Sequence, residues 1–197
     1  MLRVFGALVT IALFAVLPAA ADDTVVGGAN QLVQVSTTGV GATASCAGVQ
    51  VAPFGGPQNG STNIALATST SCTDCRTVAV AYQAIFLTNN PSVVAPGNAA
   101  VAVNADCTRC QTYAFAYQYV LSTNGPVYLS PAGHLLLSAL RQEVSDLAAS
   151  NLPLPELDAD LVAIKDRFKA LIDSELVAVG QPPNGADDLK IESAPDA

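Results

Sequence analysis

The sequence predicts an α+β protein, in which an antiparallel sheet built from two repeated β-hairpins is followed by a C-terminal helical hairpin. Three observations predict this class. A segment with a Cys-x-x-Cys turn occurs twice, large and small residues alternate beside each turn, and the apolar spacing becomes helical after residue 129. Period two is typical of strands and period 3.6 is typical of helices. We therefore expect the sheet to come first and the helices to cover it.

The repeat covers residues 63–88 and 98–123. The two copies are identical at 12 of 26 aligned positions, which indicates a duplicated structural unit. Each copy reads Asn-x-Ala-x-Ala, then Cys-Thr-x-Cys, then Thr-x-Ala-x-Ala-Tyr-Gln. We expect each copy to fold as a β-hairpin with the cysteine turn at its tip, within a duplicated core that spans residues 63–128.

The strand after each turn alternates large residues with small ones. Alternation places the large side chains on one face of the sheet and most of the alanines on the other. Alanine is a good helix former, but the β-branched and aromatic content favours strands. The large residues are Val78, Val80, Tyr82 and Phe86 in the first copy and Tyr113, Phe115, Tyr117, Tyr119 and Leu121 in the second.

The first 21 residues have the pattern of a secretory signal peptide. A single cation, Arg3, precedes an apolar run, and the small residues Ala19 and Ala21 come just before Asp22. The apolar run is short for a membrane anchor. We expect an exported protein with no membrane association once residues 1–21 have been cleaved.

Residues 22–62 form a lead-in that is rich in Gly, Ser and Thr. Alternation within 31–35 and 48–52 predicts short strands there. The cysteine spacing of the repeat is absent from this segment, so the sequence gives no ground for a third copy.

Two helices are predicted within residues 129–179. Ser130 is a good N-cap residue, and Pro131 suits the first helical position. Pro153 and Pro155 end this helix and start the next. A short connection favours an antiparallel helical hairpin.

The apolar face of this helical hairpin is expected to cover the aromatic face of the sheet and to bury Tyr82, Phe86, Phe115 and Tyr117. Residues 180–197 are polar and acidic, and they are expected to form a disordered tail.

Charge is unevenly distributed along the chain. The net charge is −8 and no basic patch is present, which argues against a nucleic-acid partner. Asp74 and Arg109 occupy the same repeat position with opposite signs, so the two turns are expected to be neighbours. Between residues 24 and 140 the charged residues are Asp74, Arg76, Asp106 and Arg109.

The cysteines permit three chemistries. In an exported protein they are expected to form disulfides, either within each turn or across the two turns. The first alternative is a four-cysteine zinc site, and the second is thiol-disulfide catalysis by a thiolate of lowered pKa. All three use Cys72, Cys75, Cys107 and Cys110, and they leave Cys46 as an unpaired thiol.

Catalytic motifs are not evident in the sequence. The single histidine, His134, falls in the first turn of a predicted helix, and no metalloprotease helix, nucleophile elbow or phosphate loop is present. We therefore expect a protein that is not an enzyme and that needs no cofactor, unless the zinc alternative holds.

The tandem motifs resemble a group of uncharacterised bacterial exported proteins. The resemblance rests on residues 63–83, 98–118 and the Leu-Ser-Pro helix start at 129–131. It implies a location outside the cytoplasm, secreted or at the bacterial cell surface. Some relatives carry a peptide zinc metalloprotease label, but this chain lacks residues that could perform that reaction.

The functional expectation is an exported structural or binding module. The alanine-rich face permits close approach of another sheet, and strands without charge lack the usual barrier to edge pairing. The expected partner is a second copy of the chain or a component of the cell surface. The alternative is a metal-dependent or thiol-redox protein that uses the Cys-x-x-Cys turns.

Overall fold

The computed structural model describes residues 29–56, 58–88, 91–179 and 190–193. The predicted signal peptide, 1–21, lies outside these residues, as does most of the predicted tail. The strands are β1 (Gln31–Val40), β2 (Thr43–Phe54), β3 (Gln58–Asn59), β4 (Thr62–Thr73), β5 (Arg76–Leu87), β6 (Val93–Val94), β7 (Gly97–Thr108), β8 (Gln111–Ser122), β9 (Val127–Leu129), β10 (Leu176–Ala178) and β11 (Lys190–Ser193). The helices are α1 (Pro131–Ala148) and α2 (Leu154–Glu175).

The protein is rich in sheet and has two helices near its C-terminus, but the main sheets are parallel, so the predicted antiparallel sheet is wrong. Sheet A has the order β1-β4-β7, and sheet B contains β2-β5-β8 in parallel. The two strands beside each cysteine turn belong to different sheets and do not pair with each other. Each turn is therefore an arch between two sheets, and the predicted hairpins do not form.

The strands wind into three coils of a β-solenoid. Each coil contributes one strand to sheet A and one to sheet B, and β3 and β6 pair in parallel where the chain passes to the next coil. Coils two and three are the predicted repeat. They stack in register, so that Cys72 lies beside Cys107 and Tyr82 beside Tyr117 on neighbouring strands. Stacking equal residues in register is a physical reason for the parallel arrangement, because each row repeats the same side-chain contact in the next coil.

The lead-in supplies the first coil, which the sequence reading did not identify. Strands β1 and β2 are 10 and 12 residues long, and they pair in parallel with β4 and β5. In this coil Gly39 occupies the position of Cys72, and Gly41 lies in the turn. Both glycines have positive φ angles, 96° and 64°, a conformation that glycine adopts at little cost.

Alanines fill the narrow space between sheets A and B. The inward residues of β4 and β5 are almost completely buried and form a cluster with their neighbours in coil three. Small side chains allow the two sheets to approach closely across the solenoid. The buried members of this cluster are Val33, Ala65, Ala67, Ala79, Ala81, Ala114 and Ala116.

The main hydrophobic core lies between the outer face of sheet B and the two helices. Tyr82 and Tyr117 are completely buried, and Phe86 and Phe115 are 2% and 7% exposed, so the predicted cover over the aromatic face is confirmed. Phe168 of α2 packs against both tyrosine rings at centroid distances of 5.8 and 6.3 Å.

Side-chain hydrogen bonds fix the helices on the sheet. Tyr82 donates its hydroxyl proton to the Leu161 carbonyl at 2.6 Å, and Tyr113 donates to Asp158 at 2.5 Å. The Ser130 side chain caps α1 by accepting from the amide of Gly133 at 2.9 Å, as its sequence position predicted. Neither helix in the described part of the chain has the length and apolar character needed to cross a bilayer.

Two short segments complete the described structure. Strand β10 pairs antiparallel with β9 and so ties the end of α2 to the start of α1. Within the predicted tail, 180–197, residues 190–193 form β11, which pairs antiparallel with residues 118–121 of β8. The other tail residues lie outside the described part of the chain.

Candidate functional site

The two cysteine turns stack at one corner of the solenoid. Each turn closes on itself: Cys72 pairs with Cys75 and Cys107 with Cys110, with Cα–Cα distances of 6.0 and 5.9 Å. Both distances are normal for disulfides. Of the two disulfide patterns that the sequence left open, the structure has the one within each turn.

A salt bridge lies across the outside of the stacked turns. Arg109 donates from Nε and Nη2 to the two carboxylate oxygens of Asp74, and both distances are 2.5 Å. These hydrogen bonds lower the pKa of the Asp74 carboxyl below its ordinary value. The residues occupy equivalent positions with φ angles of 57° and 55°. The prediction that the turns are neighbours with paired opposite charges is confirmed.

The sulfur atoms of the two turns form one cluster. The Sγ atoms of Cys72, Cys75 and Cys110 all lie within 4.8 Å of one another, and Cys107 is the partner of Cys110. Cys72 and Cys75 of the second coil are buried, whereas Cys107 and Cys110 of the third coil are half-buried. The four cysteines that the sequence grouped are therefore together in space.

Cys46 lies apart from this cluster. It is a free, half-buried cysteine that pairs in register with Ala79, four residues beyond Cys75 and so about 13 Å further along the sheet. Burial raises the pKa of its thiol, which disfavours the reactive thiolate.

A network of hydroxyl groups lies inside the solenoid beneath the cysteine turns. Thr37, Ser69 and Thr77 come from three different strands, with oxygen–oxygen distances of 2.6 to 3.1 Å. Ser69 also lies 2.7 Å from Thr112, which donates to Asn104 at 2.5 Å. The polar groups satisfy each other, so this buried network needs no ligand to be stable.

Amide ladders run through the rest of the interior. Gln118 donates to Gln83 at 2.6 Å and Gln83 donates to Gln50 at 2.5 Å, one glutamine from each coil. Asn63 donates to Asn98 at 2.9 Å in the opposite sheet. Sequence reasoning missed these ladders, although the signal was present: the same polar residue recurs at the same position of both repeat copies.

The third coil ends in an open strand edge. In sheet A, β7 pairs only with β4 among the described residues, and its other edge faces solvent. No charged residue occurs from Gly97 to Ala105. Val101 and Val103, which point to the outer face, are each 41% exposed. Natural edge strands are usually protected by charges, proline or bulges, so a long neutral edge marks a candidate binding surface.

His134 lies in the first turn of α1, as expected, with an exposed side chain. It is far along the chain from the cysteine turns and belongs to the helical layer. No family profile, curated protein or solved structure matches the chain.

Alkylation of the unreduced, denatured protein is expected to label one cysteine. The two turns hold four cysteines in disulfides, and only Cys46 is free. Intact mass spectrometry counts the labels, and the Cys46→Ser variant is the control because it should take none. A count of three or five labels would show that one or both turns are reduced.

Proposed function

We propose that this protein is an exported structural module that associates with further copies of itself through the β7 edge. The carrying observation is the outer edge of β7 (Gly97–Thr108), which has no neighbouring strand among the described residues and carries no charged residue up to Ala105. Such an edge can accept a strand from another chain by β-augmentation. The proposed location outside the cytoplasm rests on the first 21 residues and on two disulfides.

A second copy is the occupant that the side-chain rows favour. The inward row of β7 continues the rows of the coil beneath it: Asn98 follows Asn63, Ala102 follows Ala67 and Asn104 follows Ser69. A strand from a second copy of this chain would therefore continue each row with another small or neutral side chain. Strand β1, the other outer strand of sheet A, also has no charged residue from Gln31 to Val40, so a neutral strand would meet a neutral edge.

The association does not use the alanine face that the sequence suggested. Ala65, Ala67, Ala79 and Ala81 are all completely buried between the protein's own sheets. That face is therefore not available to a second molecule. The proposed association uses the outer edge of β7 at the end of the solenoid and does not require that face.

Lysine at position 102 is expected to block association. Ala102 belongs to the inward row but is exposed at the open end, so a lysine can reach solvent in the monomer and would be buried in the assembly. We expect sedimentation velocity of the chain starting at Asp22 to show a mean mass that rises with concentration, and Ala102→Lys to remain monomeric over the same range.

The matched control is Ala139→Lys, the same change at an exposed position of α1. It should associate like the unchanged protein. At a concentration where the parent is monomeric, the thermal midpoints of both variants should equal that of the parent, which checks that the monomer is intact. A parent protein that stays monomeric at every concentration, or an Ala102→Lys variant that associates normally, would refute the proposal. Growth beyond dimers would indicate pairing of β7 with β1, because two-fold pairing of β7 with itself closes at a dimer.

A further inference from the structure

The stacked cysteine turns bring two pairs of sulfur atoms from adjacent coils to one point. Cys72 and Cys107 are register partners in β4 and β7, and the Sγ atoms of Cys72, Cys75 and Cys110 are all within 4.8 Å of one another. Four thiolates around one zinc ion have bonds of about 2.3 Å, which places the sulfurs about 3.8 Å apart. These three sulfurs therefore need to approach by at most about 1 Å to share an ion, and Cys107 is joined to the group through its bond to Cys110.

The surroundings also fit the reduced state of these cysteines. The Sγ of Cys107 lies 3.5 Å from the Ser69 carbonyl oxygen, that of Cys110 lies 3.6 Å from the Cys72 carbonyl oxygen, and that of Cys75 lies 3.6 Å from the Gly39 carbonyl oxygen. A thiol at each position can donate its proton to that oxygen.

The Thr37 hydroxyl oxygen lies 3.7 Å from the Sγ of Cys72, where it can accept the proton of a reduced Cys72 thiol. The nearby Arg109 is held by Asp74, so its position is fixed beside the turns. Opening the disulfides therefore leaves each sulfur with a polar neighbour that is already in place.

We propose that Cys72, Cys75, Cys107 and Cys110 form a redox-gated binding site for one thiolate-preferring metal ion of the zinc and cadmium class. In the oxidised protein the site is closed by two disulfides. In the reduced protein the four sulfurs bind the ion and link coil two to coil three. This inference is independent of the proposed association through β7, because it concerns a different corner of the solenoid.

Loading the site requires four electrons. Each disulfide accepts two electrons and two protons from an external dithiol, which becomes a disulfide itself, and yields two thiols. The ion then replaces the thiol protons as four sulfur–metal bonds form, so up to four protons are released. When the ion leaves, the four sulfurs take up protons again. An external disulfide then accepts two electrons and two protons from each turn, becomes a dithiol and restores the closed state. The half-buried pair Cys107 and Cys110 is the accessible one, so the dithiol is expected to open it first.

The experiment uses Cd²⁺ as the probe. The protein is reduced with a dithiol, the reductant is removed without oxygen, and Cd²⁺ is titrated while thiolate-to-cadmium absorption is recorded. We expect one ion per chain and a higher thermal midpoint in the loaded protein. We expect Cys110→Ser to bind Cd²⁺ at least about tenfold more weakly, since loss of even an outer-shell partner has an effect of that size.

Cys46→Ser is the matched control, because it removes one thiol outside the cluster and should bind like the parent. Circular dichroism before and after the titration reports whether the protein with reduced cysteines keeps its sheet structure, or loses it and regains it when the ion binds. The proposal would be overturned by the absence of thiolate absorption, by two ions per chain, which would mean that each turn binds separately, or by equal affinities of the Cys110→Ser and Cys46→Ser variants. A reduced protein that loses its sheet and does not regain it with Cd²⁺ would overturn it as well.

Discussion

Replacing Phe168 with alanine is expected to lower the free energy of unfolding by about 3–5 kcal/mol. The Phe168 side chain is completely buried, and its ring meets those of Tyr82 and Tyr117 at edge-on angles of 67° and 82°. Its removal leaves a cavity at the centre of the contact between α2 and sheet B. Chemical denaturation followed by circular dichroism measures the change.

The control for this substitution is Val162→Ala on the exposed side of α2, where Val162 is 39% exposed. A change there should alter the stability by no more than about 0.5 kcal/mol. If Phe168→Ala were equally mild, the helical layer would not be packed on the tyrosines as described.

Leucine at position 81 is expected to destabilise the protein by about 3 kcal/mol or to prevent folding. Ala81 is completely buried between the two sheets, and its carbonyl accepts a hydrogen bond from Asn63 at 3.2 Å. A larger side chain must separate sheets A and B or displace that asparagine, and overpacked cores cost about 1–3 kcal/mol or more. The denaturant midpoint reports the loss.

Ala105→Leu is the matched control, since Ala105 is exposed on β7. It should leave the midpoint nearly unchanged. Equal tolerance at positions 81 and 105 would contradict the close approach of the two sheets, because only an open interior could accept leucine without cost.

The sequence predicted the strands, their faces and the helices, but it did not predict which strands pair. Alternation identified β5, β8 and their aromatic face, and the helical spacing with Ser130 identified α1 and its start. Alternation says which side chains share a face, but it does not say which strand lies alongside. A hairpin and an arch have the same pattern around a turn, so the parallel pairing had to come from the structure. Identical residues such as Gln83 and Gln118 were the available signal, because ladders require the same residue in successive coils.

The first coil escaped prediction for a different reason. Its turn has Gly39 at the position of Cys72 and no cysteine at the position of Cys75, so the most visible mark of the repeat is missing. The match with the other coils lies in weak features, such as Gln50 at the position of Gln83. At the candidate site, the sequence grouped the four cysteines and the Asp74–Arg109 pair correctly. It could not choose the disulfide pairing, because the spacing within each turn permits a local disulfide and neighbouring turns permit a disulfide between them.

The short span of the disulfides affects how the chain reaches its final form. Each one joins cysteines three positions apart, so it can close as soon as its own turn forms and before any coil has met its neighbour. Early oxidation therefore cannot lock the wrong strands together. The choice of neighbour is left to hydrogen bonds and packing, which are reversible and can be corrected. Pairing strands some thirty-five residues apart has a high entropic barrier. Because the disulfides do not join different coils, strands that pair wrongly can separate and pair again.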